Sequence, residues 1–216
     1  MIKLCVFDLD GTVADTLPSI CYFANKALEK YGFPYIETEK YRYFVGDGAD
    51  LLIHRMINEV GGNNEDFEKV RIEYMTSYNS DSAYLTSAYE GIAKMLKSLK
   101  DKGIINVILS NKPQTQAENV INIIFEKGLI EEVNGGKPGI PLKPDPTALF
   151  EIMKKYNVSK NEVLFVGDTK TDMETALNAG VKSIGVLWGF RDEEELMAHN
   201  ASYIVSTPNE IIDIVK

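Results

Sequence analysis

Cysteine, histidine and tryptophan are scarce in this chain of 216 residues, which has 2 Cys, 2 His and 1 Trp. Two cysteines without metal-ligand spacing rule out a disulfide scaffold or a cysteine-rich zinc module. Cys5, in an apolar run, and Cys21, on a helical face, read as small apolar residues in a reducing compartment. No apolar stretch approaches membrane-spanning length, and the opening MIKLCVF runs straight into acids, without the apolar region and cleavage site of a secretory signal. A cytoplasmic protein is expected. Basic residues are outnumbered, 23 against 32 acidic, and the net charge is -9. No basic cluster reverses that field, so neither nucleic acid nor an anionic membrane is an expected partner.

With 44% hydrophobic and 25% charged residues, the chain can bury one large core or a core with an insert. Four short runs, LCVF at 4–7, INVIL at 105–109, VLFV at 163–166 and SIGVL at 183–187, show little polar alternation, as in strands buried on both faces. VNG at 133–135 and SYIV at 202–205 are weaker strands. Helical stripes lie between them, at Ile92, Met95, Leu96 and Leu99, and at Val120, Ile123 and Ile124. This alternation predicts an α/β fold, a Rossmann-like doubly wound parallel sheet.

Residues 16–85 break the alternation. Ile20, Phe23, Ala24, Ala27, Leu28 and Tyr31 mark one helix, Leu52, Met56 and Val60 a second, and Phe67, Val70, Tyr74 and Tyr78 a third. An all-helical insert after the first strand would cover the carboxyl ends of the strands, where open α/β sheets bind ligands. Other polar spots read as helix starts. Thr207 with Glu210 and Ser159 with Glu162 have capping-box spacing, and DEEE at 192–195 suits a first helical turn.

The acids at the strand ends carry chemistry. Asp8 and Asp10 in DLDGT point the same way in an extended segment, and Asp168 and Asp172 follow another apolar run. Carboxylates gathered in one crevice call for a hard divalent cation with oxygen ligands.

In order, DLDGTVADT, LSN at 109–111, KPDP at 143–146 and GDTKTD at 167–172 resemble the four motifs of the haloacid dehalogenase superfamily of phosphohydrolases. The resemblance implies a catalytic core of residues 1–15 and 86–216 and a small helical cap of residues 16–85. It implies Mg2+, a small phosphorylated substrate, and a monomer or homodimer. Asp8 would be the nucleophile that forms an aspartyl phosphate. Asp10 would be the general acid and base, its carbonyl also ligating the metal. Gly11 would allow the turn, and Thr12 would orient Asp10 on the substrate side. Ser110 and Asn111 would hold phosphoryl oxygens, with Lys112 adding positive charge. Lys143 would neutralise Asp8 and the phosphoryl group, in preference to Lys137, and Asp145 would cap the next helix. Asp168 would ligate the metal directly, and Asp172 through a water or an intervening group.

Dehalogenases of the superfamily lack the second aspartate of the first motif, and phosphonate hydrolases depart from DLDGT, so a magnesium-dependent phosphatase is expected. FVGDGADLLI at 44–53 and SNKP at 110–113 resemble the phosphoglycolate phosphatase group, with Gly46 and Gly48 in the cap loop. Nucleotide phosphatases, pyrophosphatases and sugar-phosphate mutases share the layout and stay open as alternatives. A non-catalytic binding module is disfavoured because both Asp8 and Lys143 are kept. Asp47 in the cap loop would repel a substrate carboxylate unless Arg42, His54 or Arg55 offset it.

Overall fold

A computed structural model describes residues 1–215. The chain opens with β1 (Leu4–Phe7) and the short β2 (Ala14–Asp15), followed by four helices, α1 (Leu17–Lys30), α2 (Thr38–Phe44), α3 (Ala49–Glu59) and α4 (Asn64–Ser80). Then come β3 (Ser87–Ala88), α5 (Ile92–Asp101), β4 (Ile105–Pro113), α6 (Gln114–Ile124), β5 (Glu132–Gly136) and α7 (Thr147–Lys155). The chain ends with β6 (Val163–Gly167), α8 (Lys170–Ala179), β7 (Lys182–Val186), α9 (Glu193–Ala198), β8 (Tyr203–Val205) and α10 (Pro208–Ile214).

Six of the strands form one parallel sheet in the order β5-β4-β1-β6-β7-β8. Alternate residues of each strand serve opposite faces, which is why these runs are apolar throughout. Cys5 and Phe7 of β1 join a cluster with Ile92, Met95, Leu96 and Leu99 of α5 and Val120 and Ile121 of α6. Leu4 and Val6 face the other way, toward Leu149, Ile152 and Met153 of α7 and Ala176 and Ala179 of α8. Helices on both faces make this the Rossmann-like α/β fold.

The chain reverses from β1 at once: the N–H groups of Thr12, Val13 and Ala14 all donate to the Leu9 carbonyl, at 3.2, 3.1 and 3.0 Å. Helices α1 to α4 have a hydrophobic cluster of their own, built on Phe23, Leu28, Tyr41, Ile53, Met56 and Tyr78. Phe190, from the loop after β7, is the buried member of that cluster contributed from outside residues 17–80. Asn63 starts α4 with a capping box to Asp66, and Thr207–Glu210 and Ser159–Glu162 form the boxes their spacing predicts. Asp192 likewise caps α9 by accepting from the Glu195 N–H at 2.9 Å. No helix among the described residues is long and apolar enough to cross a membrane. Both cysteines are free and buried.

Several details depart from the sequence reading. Helix α2 was not expected, because TEKYRYF carries one inward residue, Tyr41, and no repeating stripe. A two-stranded antiparallel ribbon pairs Ala14 with Ala88 and Asp15 with Ser87, tying together the two chain segments that lead into and out of the helices. Strands of two residues are too short to show a period. Ile123 is exposed, and the inward face of α6 runs through Ala117, Val120 and Ile121. Tyr31 lies beyond the last turn of α1 and is also exposed. Asp145 precedes the cap position, which Pro146 occupies, yet its Oδ1 still accepts the Thr147 N–H at 2.9 Å.

Met56 is wholly buried among the helices. Met56→Ala is expected to cost about 2–5 kcal/mol in urea denaturation, and to speed hydrogen exchange in α1 to α4 more than in β1, β4 and β6. Equal acceleration everywhere would mean that helices and sheet open together.

Candidate active site

The parallel register aligns three strand ends. Phe7 is level with Ile108 and with Val166, so Asp8 and Asp168, just past β1 and β6, come side by side with Ser110 of β4 at one end of the sheet. Asp8 is buried, and its Oδ1 accepts the Leu9 N–H at 2.7 Å and faces Lys143 Nζ at 3.0 Å. Lys143 comes from the loop before α7 and also meets Asp172 Oδ1 at 2.6 Å. The other oxygen of Asp172 accepts from Thr169 through its N–H, at 3.0 Å, and its hydroxyl, at 2.8 Å. Thr169 and Asp172 thus form the capping box of α8, so one residue both starts the helix and anchors the lysine. The spacing T-x-x-D could have signalled this.

Asp168 is fully buried, and its Oδ1 accepts from the Thr12 hydroxyl at 2.8 Å. Thr12 is therefore not on the substrate side and does not orient Asp10: its side chain is wholly buried against Asp168. Asp168 Oδ2 accepts the Phe190 N–H at 2.8 Å. Two glycines make room for this acid. A Cβ on Gly11, which has φ +84°, would lie 2.2 Å from Asp168 Oδ2, and one on Gly189 would lie 2.3 Å from Asp168 Cβ.

One carboxylate oxygen each from Asp8, Asp168 and Asp172 lie within 4.8 Å of one another. Burial, joined by Asp172 and Asp10, pushes the Asp8 carboxyl up to about 7 against the opposing pull of Lys143. Burial, Asp172 and Asp8 raise Asp168 well above the carboxylate range. Burial would lower Lys143, but Asp172 and Asp8 together hold it above its ordinary value. Three buried acids with one ammonium among them disfavour one another's ionisation, which is why two of them are held up. An all-oxygen donor set of this kind fits a hard divalent cation. The Asp10 side chain stands outside this group. It pairs with Lys112 at 3.0 Å, and Lys112 also donates to the Tyr78 hydroxyl at 2.8 Å.

Above the acids lies a pocket bordered by Asp8, Asp10, Ser110, Asn111, Lys112 and Gly46, with the apolar Ile20, Val45 and Leu52. The Asn111 side chain links loops, donating to the Gly46 carbonyl at 3.1 Å and the Lys143 carbonyl at 3.0 Å and accepting the Lys143 N–H at 2.8 Å. Its side chain therefore serves as a brace. Lys137 is exposed and outside the site. Asp47 does not border this pocket: it accepts from Arg55 at 2.5 Å and from the Thr171 hydroxyl at 2.8 Å. Of the three cations proposed to offset it, Arg55 does so, His54 stacks on Phe67, and Arg42 donates to the Gly189 carbonyl at 3.3 Å.

Sequence reasoning missed the loop from Trp188 to Arg191. Trp188 Nε1 donates to the Thr12 carbonyl at 2.8 Å, Phe190 holds Asp168, and Arg191 donates to the carbonyls of Arg42 and Val45. Its place after a strand adjacent to β6 was the available signal, since loops at that end of the sheet converge on one crevice.

Residues 5–186 match the family described as Haloacid dehalogenase-like hydrolase. A Vibrio parahaemolyticus protein named phosphoglycolate phosphatase is 32% identical, over 99% of this chain and 96% of its own. Phosphoglycolate phosphatase 1 of Pseudomonas aeruginosa is 28% identical, over 97% of this chain and 78% of its own. The crystal structure of a predicted phosphoglycolate phosphatase from Haemophilus somnus shares the fold, with a TM-score of 0.93 at 24% identity, covering 100% of this chain and 98% of that one.

Lys143→Met leaves Asp8 and Asp172 buried without their cation. In the presence of a chelator it is expected to lower the unfolding free energy by about 3–5 kcal/mol, read by urea denaturation. A loss under about 1 kcal/mol would show that the acids do not depend on the lysine.

Proposed function

Because the chain belongs to the haloacid dehalogenase-like hydrolases, we propose that it is a magnesium-dependent phosphatase for small phosphate monoesters, phosphoglycolate among them. The observation that carries this reading is Asp8, a buried carboxylate fixed by Lys143 and the Leu9 N–H at the floor of a pocket. The relatives named phosphoglycolate phosphatase support the choice of ester.

In this reading Asp8 attacks phosphorus and the bond from phosphorus to the alcohol oxygen breaks, leaving an aspartyl phosphate. Asp10 gives its proton to the departing oxygen and then takes one from the water that releases phosphate and restores Asp8. Lys112 turns from Asp10 to the incoming phosphoryl oxygens, which frees Asp10 for that task. Ser110 and the backbone N–H groups beside it donate to the phosphoryl oxygens, and Lys143 balances the charge of Asp8. Asp8, Asp168 and Asp172, with the Asp10 carbonyl, would hold the cation, which when bound neutralises phosphoryl charge. Residues 16–85 act as a cap that chooses the alcohol and excludes bulk water, over a core of residues 1–15 and 86–216.

Phosphate release from phosphoglycolate should require added magnesium and stop with a chelator; turnover unaffected by chelation would refute metal dependence. Asp8→Asn should lose about 1,000-fold or more on every ester. Asp10→Asn should lose about 100-fold or more in the single-turnover burst of alcohol release from alkyl phosphates. It should lose much less on an aryl ester with an electron-withdrawing ring, whose oxygen leaves without a proton. Equal burst losses on both would remove Asp10 from the role of acid.

A further inference from the structure

We propose that the far wall of the pocket, made by the open N-terminus of α3 and the hydroxyl of Tyr74, binds a carboxylate on the alcohol that leaves. This deepens the phosphatase reading and rests on it. Helix α3 has 11 residues and Gly48 at its cap position, where no side chain accepts a backbone N–H. The N–H groups of Ala49, Asp50 and Leu51 have no partner among the described residues, and Gly48 and Ala49 border the same pocket as Asp8 and Asp10. Serine, threonine, aspartate or asparagine at that position would satisfy these donors from within. Gly48 has φ +95°, and a Cβ there would meet Leu142 at 3.2 Å, so the backbone path disfavours a residue that could cap. Free N–H groups at the positive end of a helix accept an anion.

Tyr74 supplies the independent observation. It is 3% exposed, its ring stacks on Tyr78, and it borders the pocket. The Tyr78 hydroxyl is engaged by Lys112, whereas that of Tyr74 has no partner among the described residues. Burial keeps its phenol protonated and thus a donor. The two acids near this helix end are both paired away, Asp47 with Arg55 and Thr171 and Asp50 with Arg71 at 2.7 Å. On the pocket side this leaves the N–H of Ala49 and the Tyr74 hydroxyl as donors, with no unpaired acid of the α3 loop beside them. Ile20, Val45 and Leu52 line the space between and select a short alcohol.

The test compares 2-phosphoglycolate with ethyl phosphate, which has the same carbon count and no carboxylate. Both are assayed with magnesium on the whole chain, for wild type, Tyr74→Phe and Ala49→Pro. The first variant removes only the hydroxyl; the second removes one N–H at the first helical position, where proline is well tolerated. Wild type should prefer phosphoglycolate, and the ratio of the two kcat/KM values should fall about tenfold or more in each variant, the scale of one hydrogen bond to a charged group. A smaller fall in the ratio, including an equal fall on both esters, overturns the subsite. So does a wild type that hydrolyses both esters without preference, which leaves the phosphatase reading standing. A wild type inert toward both esters with magnesium defeats the phosphatase reading itself.

Discussion

Burial of like charge is the constraint on which the rest of this molecule turns. Asp8, Asp168 and Asp172 are almost wholly removed from water, and removing an unpaired carboxylate from water costs several kcal/mol or more. The fold therefore spends much of its polar inventory on them. Lys143 stands between two of the acids, Thr12 and the Phe190 N–H hold the third, and Thr169 holds the oxygen of Asp172 that Lys143 leaves free. Against these three acids the protein sets one ammonium, that of Lys143.

The sheet explains why the acids can meet at all. Parallel strands send all their carboxyl ends to one edge, so residues far apart in the chain arrive together without long loops. The crowding there is close enough that glycine at positions 11 and 189 is required by the space around Asp168. The tight turn after β1 then sends the chain through a short ribbon into four helices with their own apolar cluster. The four helices and the sheet thus keep largely separate apolar clusters, joined through Phe190 and polar links such as those of Lys112 to Tyr78 and Thr171 to Asp47.

Much of this was legible in the sequence, for a physical reason. Buried parallel strands need unbroken apolar runs, and charges at their ends stand out against them, so β1, β4, β6 and β7 and the acids Asp8, Asp10, Asp168 and Asp172 could be found from pattern alone. Lys143 was separable from Lys137 by resemblance, since it alone is followed by the Pro-x-Pro of the superfamily's motif and a helix. The unreadable parts were those whose role depends on partners remote in sequence. Thr12 could not be assigned to Asp168 rather than Asp10, because the choice is made by a contact across 156 positions. Arg55 and Thr171 on Asp47, Lys112 on Tyr78, and the grip of Phe190 on Asp168 are of the same kind. Helix α2 escaped because one inward residue gives no period.

The loop after β7 has a consequence for any attempt to exchange parts between relatives. Phe190 clasps Asp168 with its backbone while its ring sits among the helices, and Arg191 grips the carbonyls of Arg42 and Val45 with its guanidinium over Tyr43. Residues 190–191 belong in sequence to the sheet and in packing to the helices. A chimaera that swaps residues 16–85 alone would divide this joint and present the foreign helices with the wrong plug. A transplant that carries residues 190–191 with the helices keeps the joint whole, and the modular seam of the molecule therefore runs through three places in the chain, not two.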